Sequence, residues 1–139
     1  MRPIFAPELS AIFTIERGCI IKIIMQSQEQ AVLLRVFTGE ADKIGHTPVY
    51  EIMVQAAREN ELAGATVIRG IMSFGASTVI HTAQWIDISQ DLPIIIEIVD
   101  VEKKINDFIP VINEIFAKSK RGGLITTEKV NVIFYQPDH

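Results

Sequence analysis

The chain has 139 residues, of which 48% are hydrophobic, and its formal net charge at pH 7 is −4. This length predicts one domain with a complete hydrophobic core, and the acidic balance argues against a protein that binds nucleic-acid phosphates. The single cysteine, Cys19, excludes an internal disulfide and suits the reducing cytoplasm. No apolar run approaches the ~20 residues of a membrane-spanning helix. We therefore expect a cytoplasmic protein that is not embedded in a membrane.

Residues 1–30 show the least regular pattern in the chain. Two short apolar runs, 12–15 and 18–25, lie on either side of Glu16 and Arg17, which is compatible with a β-hairpin. The polar sequence QSQEQ then precedes the first convincing strand. The alternative is an appendage in front of a compact domain. We therefore divide the chain into an N-terminal extension, residues 1–30, and a folded domain, residues 31–139.

The domain opens with a predicted strand and a predicted helix. Residues 31–38 place apolar side chains on both faces of a strand, in the two-residue alternation of a β-sheet. After a polar loop, Thr47 has the side chain of a helix N-cap, and Pro48 suits the first helical position. Apolar residues then recur at helical spacing; they are Val49, Ile52, Met53, Ala56 and Leu62.

A strand that contains glycines follows. Gly64 is typical of the left-handed residue that ends a helix, and residues 65–74 are rich in β-branched and apolar side chains. Gly70 and Gly75 are the weak points of this strand. They predict a bulge, a bend or a surface that another backbone or a ligand approaches closely, and a bend required by packing alone is an equally weighted alternative.

The second half of the domain contains a long connection, two strands and a helix. Residues 76–92 form a polar connection, and loops of this length in compact domains are usually functional or mobile. Residues 93–99 predict the third core strand, and Asp100 has the side chain of a cap for a second helix. Pro110 falls inside this helix and predicts a kink. Residues 124–136 predict the last strand.

These elements follow the order β-α-β-β-α-β. The fold class is therefore α+β, a ferredoxin-like sandwich of one sheet and two helices. Two helices cover only one face of a four-stranded sheet. Because the first two strands carry apolar side chains on both faces, a second copy of the chain is the simplest cover for the other face. We expect a homo-oligomer.

Four segments of the sequence resemble the domain of unknown function 190 family, a branch of the PII-like superfamily, to which the CutA proteins are related. They are LLRVFTGEADKIGHTPVYE, LAGATVIRGIMSFGAS, HTAQWIDISQDLPIIIEIVD and GGLITTEKV. The resemblance extends over residues 31–135, and residues 1–30 lie outside the family pattern. It implies a homotrimer whose sheets line a central core and whose ligands bind in clefts between subunits.

The resemblance also implies which residues bind a ligand and which bind a partner. In the PII superfamily a long T-loop reports the ligand state to a partner, and residues 76–92 occupy its place. A short glycine turn, the B-loop, helps to hold nucleotide phosphates, and residues 120–123 occupy a similar place. Other candidates come from the residues themselves, because the polar loop after the first strand lies where a cleft should open and the strand over residues 65–74 contains an arginine and two glycines. Together, the candidate ligand-binding residues are Gly39, Glu40, Lys43, Arg69, Gly70, Phe74, Gly75, Lys120, Arg121, Gly122 and Gly123. The candidate partner-binding residues are Ser77, His81, Trp85 and Asp87.

The sequence departs from the PII proteins proper in two respects. They carry a lysine early in the third strand that helps to hold phosphate, where this chain has Ile94-Ile95-Ile96. The tyrosine that PII proteins use for uridylylation has no clear counterpart in residues 76–92. Both departures argue against sensing of ATP and 2-oxoglutarate in the manner of those proteins.

For the charged candidate residues, a structural role is the alternative to ligand binding. Residues 120–123 also suit a solvated helix end, where cations favour the helix dipole and glycine makes the turn. Arg35 and Arg69 lie in apolar strands, where an unpaired guanidinium is unfavourable. We expect each arginine to meet a carboxylate, such as Glu97, in preference to a ligand anion.

The predicted function is that of a PII-like regulatory protein. It binds a small anionic ligand, an adenine nucleotide, and reports it through residues 76–92 to a protein partner such as a membrane transporter. The alternatives are a CutA-like metal-binding trimer and a structural trimer without a ligand. Cys19 and the three histidines, His46, His81 and His139, match no zinc-binding spacing, so we assign no metal site. Because no nucleophile–base or phosphate-loop motif stands out, we expect neither an enzyme nor a resident cofactor.

Overall fold

A computed structural model describes residues 30–75, the backbone of residues 81–82, and residues 91–136. The strands are β1 (Ala31–Gly39), β2 (Lys43–Ile44), β3 (Thr47–Pro48), β4 (Thr66–Arg69), β5 (Met72–Ser73), β6 (His81–Thr82), β7 (Pro93–Val101) and β8 (Leu124–Val130), and the helices are α1 (Val49–Glu59) and α2 (Glu102–Ser119). Neither helix is long and apolar enough to cross a membrane. The hairpin that we predict within residues 1–30 lies outside the described residues.

The main sheet has four antiparallel strands in the order β4-β7-β1-β8. With α1 between β1 and β4, and α2 between β7 and β8, this order is that of the ferredoxin-like sandwich. The predicted fold class is therefore confirmed. Two small hairpins, β2 with β3 and β5 with β6, lie in the connections between the main elements.

Both helices pack against one face of the sheet. Alternate residues of the two central strands point into this layer, and the centre of each strand is fully buried, as Leu34, Val36, Ile96 and Ile98 show. The helices contribute Val49, Met53, Ala57, Ile105, Phe108, Ile112 and Ile115. Burying a side chain of this size stabilises the fold by about 1.5–3 kcal/mol, so this layer supplies most of the driving force for folding.

The opposite face of the sheet is apolar at its margins and charged at its centre. Leu33, Phe37 and Val99 are half-buried there although no described helix covers them. At the centre, the Arg35 Nε donates to Glu97 Oε1 at 2.7 Å, and the Arg35 Nη1 donates to Glu128 Oε2 at 3.1 Å. The expected pairing of Arg35 with Glu97 is thus confirmed. The hydrogen bond to Glu97 raises the pKa of the Arg35 guanidinium above its ordinary value, and the hydrogen bond to Glu128 raises it further.

The start and end of α1 differ from the sequence prediction. Pro48, not Thr47, is the N-cap, and no side chain caps this end of the helix. Thr47 instead pairs with Ile44 in the β2–β3 hairpin. After the helix, the left-handed residue is Glu61, with φ of 56°, and not Gly64. Sequence alone shows the residue types that suit a cap, but here backbone hydrogen bonds form these ends: the Val49 N–H donates to the Asp42 carbonyl at 2.9 Å, and the Leu62 N–H donates to the Ala57 carbonyl at 3.1 Å.

The strand predicted over residues 65–74 is broken at Gly70. β4 ends at Arg69, and Met72–Ser73 form the separate hairpin with β6. The Gly70 N–H donates to the Pro93 carbonyl at 2.7 Å, and a Cβ at Gly70 would lie 2.5 Å from Pro93 Cγ. Gly70 is therefore required where the chain leaves the sheet.

Asp100 does not cap α2, and the predicted cap is wrong. Its side chain is buried, and its carboxylate accepts the N–H of Ala63 at 2.8 Å and that of Val101 at 2.7 Å. It thus fastens the segment that follows α1 to the start of α2. The helix itself continues through Pro110, and β8 ends at Val130 rather than at residue 136.

Candidate functional site

Most of the candidate ligand-binding residues meet at one end of the main sheet. β1 and β4 end there, and β7 and β8 begin there. The turn at residues 39–42, which follows β1, lies at the centre of this end. We call the five charged residues that meet on this turn the polar end; they are Glu40, Asp42, Arg69, Asp91 and Arg121.

The first ion pair of the polar end joins the turn to the edge strand β4. The Arg69 Nε and Nη2 both donate to Glu40 Oε2, at 3.0 and 2.8 Å. The Arg69 side chain is 62% exposed and that of Glu40 is 33% exposed. The sequence expectation that Arg69 meets a carboxylate is correct, and the guanidinium remains accessible from solvent.

The second ion pair reaches the turn from the other edge of the sheet. The Arg121 Nε lies 3.4 Å from Asp42 Oδ1. Asp42 is only 4% exposed, and its Oδ2 accepts the Thr38 hydroxyl at 2.9 Å and the Gly39 N–H at 2.8 Å. A buried carboxylate is tolerated when it is paired and hydrogen-bonded in this way. Asp42 therefore holds the turn and positions Arg121 beside it.

The segment that ends the long 76–92 connection binds the same turn. The Ala41 N–H donates to Asp91 Oδ1 at 2.8 Å, and the Glu40 N–H donates to the Leu92 carbonyl at 2.8 Å. A Cβ on Gly39 would lie 2.4 Å from Asp91 Oδ1, so Gly39 allows the carboxylate to approach the backbone. Movement of the turn is therefore linked directly to the C-terminal end of the 76–92 segment.

Tyr50, in the first turn of α1, lies close to the first ion pair. Partial burial raises the pKa of its hydroxyl, and the neighbouring charges of Glu51 and Glu40 raise it further, whereas Arg69 lowers it. The Tyr50 hydroxyl lies 3.3 Å from Glu51 Oε1. At ordinary pH Tyr50 is thus a neutral hydroxyl beside a charged pair.

A groove runs from Tyr50 along the outer side of α1 and the edge strand β4. Its volume is about 640 Å³, within the range of small-molecule sites. Most of its surface is apolar, although four of the seven lining residues are polar or charged; the lining residues are Tyr50, Glu51, Val54, Gln55, Arg58, Glu59 and Val67. We call it the α1–β4 groove. An apolar surface therefore lies next to the arginine at the end of β4.

The turn at residues 120–123 has the geometry of a helix end. Lys120 is left-handed, with φ of 56°, and its N–H donates to the Phe116 carbonyl at 3.1 Å. The Arg121 N–H donates to the Ser119 hydroxyl at 3.2 Å. Gly123 is required for close packing because a Cβ there would lie 2.2 Å from Phe116 Cζ. The helix-end alternative thus describes the local conformation, and anion binding by this turn stays a prediction.

The remaining candidates are not brought into the polar end by any described contact. Lys43 lies in the exposed β2 strand, and Phe74 is 71% exposed beyond β5, next to Gly75. His81 lies in β6, where only the backbone is described. Ser77, Trp85 and Asp87 lie outside the described residues. In the part of the chain that the structure describes, no group of three His, Cys, Asp or Glu residues is placed to hold a metal ion.

Sequence reasoning missed the contribution of Asp91. Nothing in the sequence around Asp91 distinguishes it from other acidic residues of a polar loop. Its role follows from the register of β1 with β7, which pairs Gly39 with Pro93. The contact is recognisable only once that pairing is known.

The fold is that of the PII-like proteins. A structure of CPII from Thiomonas intermedia K12, bound to ADP and bicarbonate, superposes with a TM-score of 0.51 at 15% identity, covering 74% of this chain and 88% of that one. A second CPII structure, described as a nitrogen regulatory PII-like protein bound to ADP, AMP and bicarbonate, gives a TM-score of 0.50 at 14% identity with the same coverage.

The chain belongs to the DUF190 family. The sequence model of this family, described as "Uncharacterized ACR", matches residues 31–132. A UPF0166 protein of Aquifex aeolicus is 38% identical over 102 residues, covering 73% of this chain and 92% of the relative. A UPF0166 protein of Methanocaldococcus jannaschii is 32% identical over 96 residues, covering 69% and 85%. The resemblance on which the sequence analysis relied is thereby confirmed.

The two adjacent glycines of the 120–123 turn provide a test of its packing. We expect Gly123→Ala to lower the free energy of unfolding by about 1–3 kcal/mol, because the new methyl group meets the Phe116 ring and the Phe37 carbonyl. Gly122→Ala is the matched control, since a Cβ there meets nothing within 4 Å, and it should be neutral or stabilising by up to about 1 kcal/mol. Urea denaturation measures both. Equal effects of the two substitutions would contradict the packing described here.

Proposed function

We propose that this protein is a PII-like regulator that binds a small anionic ligand, an adenine nucleotide, in clefts between the subunits of a homotrimer. One observation carries the proposal: two arginines and the end of the 76–92 segment all contact the same four-residue turn. An anion that binds these arginines acts directly on the turn that holds the end of that segment.

The chemistry of the polar end suits a phosphate or carboxylate. Arginine presents a planar fork of N–H donors, which bind such groups bidentately. Arg69 and Arg121 are both largely exposed, at 62% and 61% of their side-chain area. The α1–β4 groove supplies an apolar surface beside Arg69 for the base of a nucleotide. The two CPII structures, which contain ADP, give the choice of an adenine nucleotide further support.

The proposed output is a change in residues 76–92. A ligand shifts a conformational equilibrium only if it binds one state better than the other. Because Asp91 and Leu92 are hydrogen-bonded to the turn that carries Glu40, a ligand at Arg69 favours one arrangement of this junction. The segment then engages a protein partner, for which a membrane transporter is our proposal. This function needs no catalysis and no resident cofactor.

The proposed trimer uses the face of the sheet that the helices leave uncovered. Leu33, Phe37 and Val99 supply apolar surface there, and the ion pair of Arg35 with Glu97 lies between them. Because Arg35 and Glu97 neutralise each other within one chain, burying them in a subunit interface leaves no unpaired charge. The same assembly brings the polar end of one subunit to the edge of the next.

Binding of ADP tests the nucleotide site. We expect isothermal titration calorimetry to show ADP binding, and Arg69→Ala and Arg121→Ala each to weaken it about tenfold or more, because each removes a charge-assisted hydrogen bond. Lys103→Ala is the control, since it removes one positive charge from the exposed start of α2. The proposal fails if ADP does not bind, or if all three substitutions change its affinity equally.

The mass of the assembly tests the trimer. We expect light scattering at micromolar concentration to give three times the mass of one chain, and Leu33→Asp to dissociate the assembly because it places an unpaired charge on an apolar interface. Ala117→Asp, at an exposed position of α2, should leave the mass unchanged. A wild-type protein with the mass of a single chain would overturn the proposed assembly.

A further inference from the structure

The Arg69 guanidinium binds an anionic group of the chain itself. Two of its nitrogens, Nε and Nη2, donate to one oxygen of the Glu40 carboxylate. This is one of the two edges of a guanidinium that bind a carboxylate or phosphate. At this edge Glu40 therefore takes the place that the anion of a ligand requires.

The sheet register brings the two residues together. β7 lies between β1 and β4, and its first two residues pair with Gly39 on one side and Arg69 on the other, since Pro93 pairs with Gly39 and Ile94 with Arg69. Glu40 and Arg69, which are 29 residues apart in the chain, thus approach each other across the start of β7. The pair is a product of the fold and not of a local helix or turn.

The pair is also of a kind that a ligand can displace. Both side chains are partly exposed, and exposed ion pairs contribute little to stability because water and salt compete for both partners. Asp42 provides the contrast within the polar end: its carboxylate is buried and hydrogen-bonded to Thr38 and Gly39. Arg69 can therefore exchange its partner while the turn itself remains anchored by Asp42.

We propose that Glu40 is an internal competitor for the ligand, so that an anion binds the Nε–Nη2 edge of Arg69 only by displacing the Glu40 carboxylate. This inference rests on the proposed nucleotide function and adds its regulation. The Glu40 N–H donates to the Leu92 carbonyl. The residue that a ligand would release from Arg69 is therefore also hydrogen-bonded to the end of the 76–92 segment. Displacement of the pair thereby connects occupation of the site to the end of the 76–92 segment. A chain without the Glu40 charge binds anions more tightly than the wild type does.

The test is a titration of ADP into the full chain and its Glu40→Gln variant at low and at high salt. We expect the affinity of Glu40→Gln for ADP to be higher by about threefold or more at low salt, because the competing charge is absent, and the gain to shrink at high salt. Glu114→Gln is the matched control. It removes the same charge from an exposed position of α2 outside the α1–β4 groove, and its carboxylate lies 3.9 Å from Lys118 Nζ and not beside Arg69.

A double substitution separates competition at Arg69 from a general charge effect. In Arg69→Ala the gain from Glu40→Gln should disappear, since the site of competition is gone. An affinity of Glu40→Gln equal to or below that of the wild type overturns the inference while leaving the nucleotide site in place. The inference is also overturned if Glu114→Gln gives an equal gain, or if the gain persists without Arg69. If neither the wild type nor Glu40→Gln binds ADP, the proposed function fails together with the inference.

Discussion

The buried carboxylate of Asp42 is the interaction on which the rest of this end of the molecule depends. Its side chain accepts hydrogen bonds from Thr38 and Gly39, which fixes the turn after β1. Its backbone carbonyl accepts the Val49 N–H at 2.9 Å, which places the first residue of α1. The same side chain lies 3.4 Å from the Arg121 Nε, which brings the turn before β8 to the end of β1. Asp42 thus connects β1, α1 and the turn before β8.

The candidate site combines a carboxylate that is held in place with a carboxylate that a ligand can displace. Asp42 is fixed by burial, whereas Glu40, two residues earlier, is partly exposed, with its side chain paired to Arg69 and its N–H bonded to Leu92. The polar end contains three carboxylates and two arginines, so its cations are matched by the protein's own anions. In the proposed site, an external anion therefore binds by exchange and not by filling an empty positive pocket. Exchange at one residue of the turn gives a direct route from binding to the 76–92 segment.

The sequence predicted the architecture well because the architecture depends on periodic burial. The alternation in residues 31–38 and 93–99 and the apolar face of each helix follow from which side chains reach the core, and the helix-covered layer is built as expected. The pairing of Arg35 with Glu97 was predictable since an arginine within an apolar strand requires a carboxylate nearby. The residue pattern alone indicated Glu40 and Arg69, and the family resemblance added Arg121.

The errors share one physical cause. The segment after α1 and the start of α2 depend on hydrogen bonds between distant parts of the chain, such as that from Ala63 to Asp100, which residue preferences do not contain. The position of Asp91 depends on a strand register, and the break at Gly70 depends on contact with Pro93. Local composition indicates that a residue suits a cap or a strand, but its role is decided by what the fold brings beside it.

In the proposed function, ligand binding at the polar end acts on residues 76–92, and the fluorescence of Trp85 measures this effect. Trp85 is the only tryptophan of the chain and belongs to this segment, so its emission reports on the segment alone. Titration with ADP should change the Trp85 emission with the same dissociation constant that calorimetry gives, and Arg69→Ala should weaken both equally. Binding of ADP that is detected by calorimetry but leaves the Trp85 emission unchanged would contradict the account.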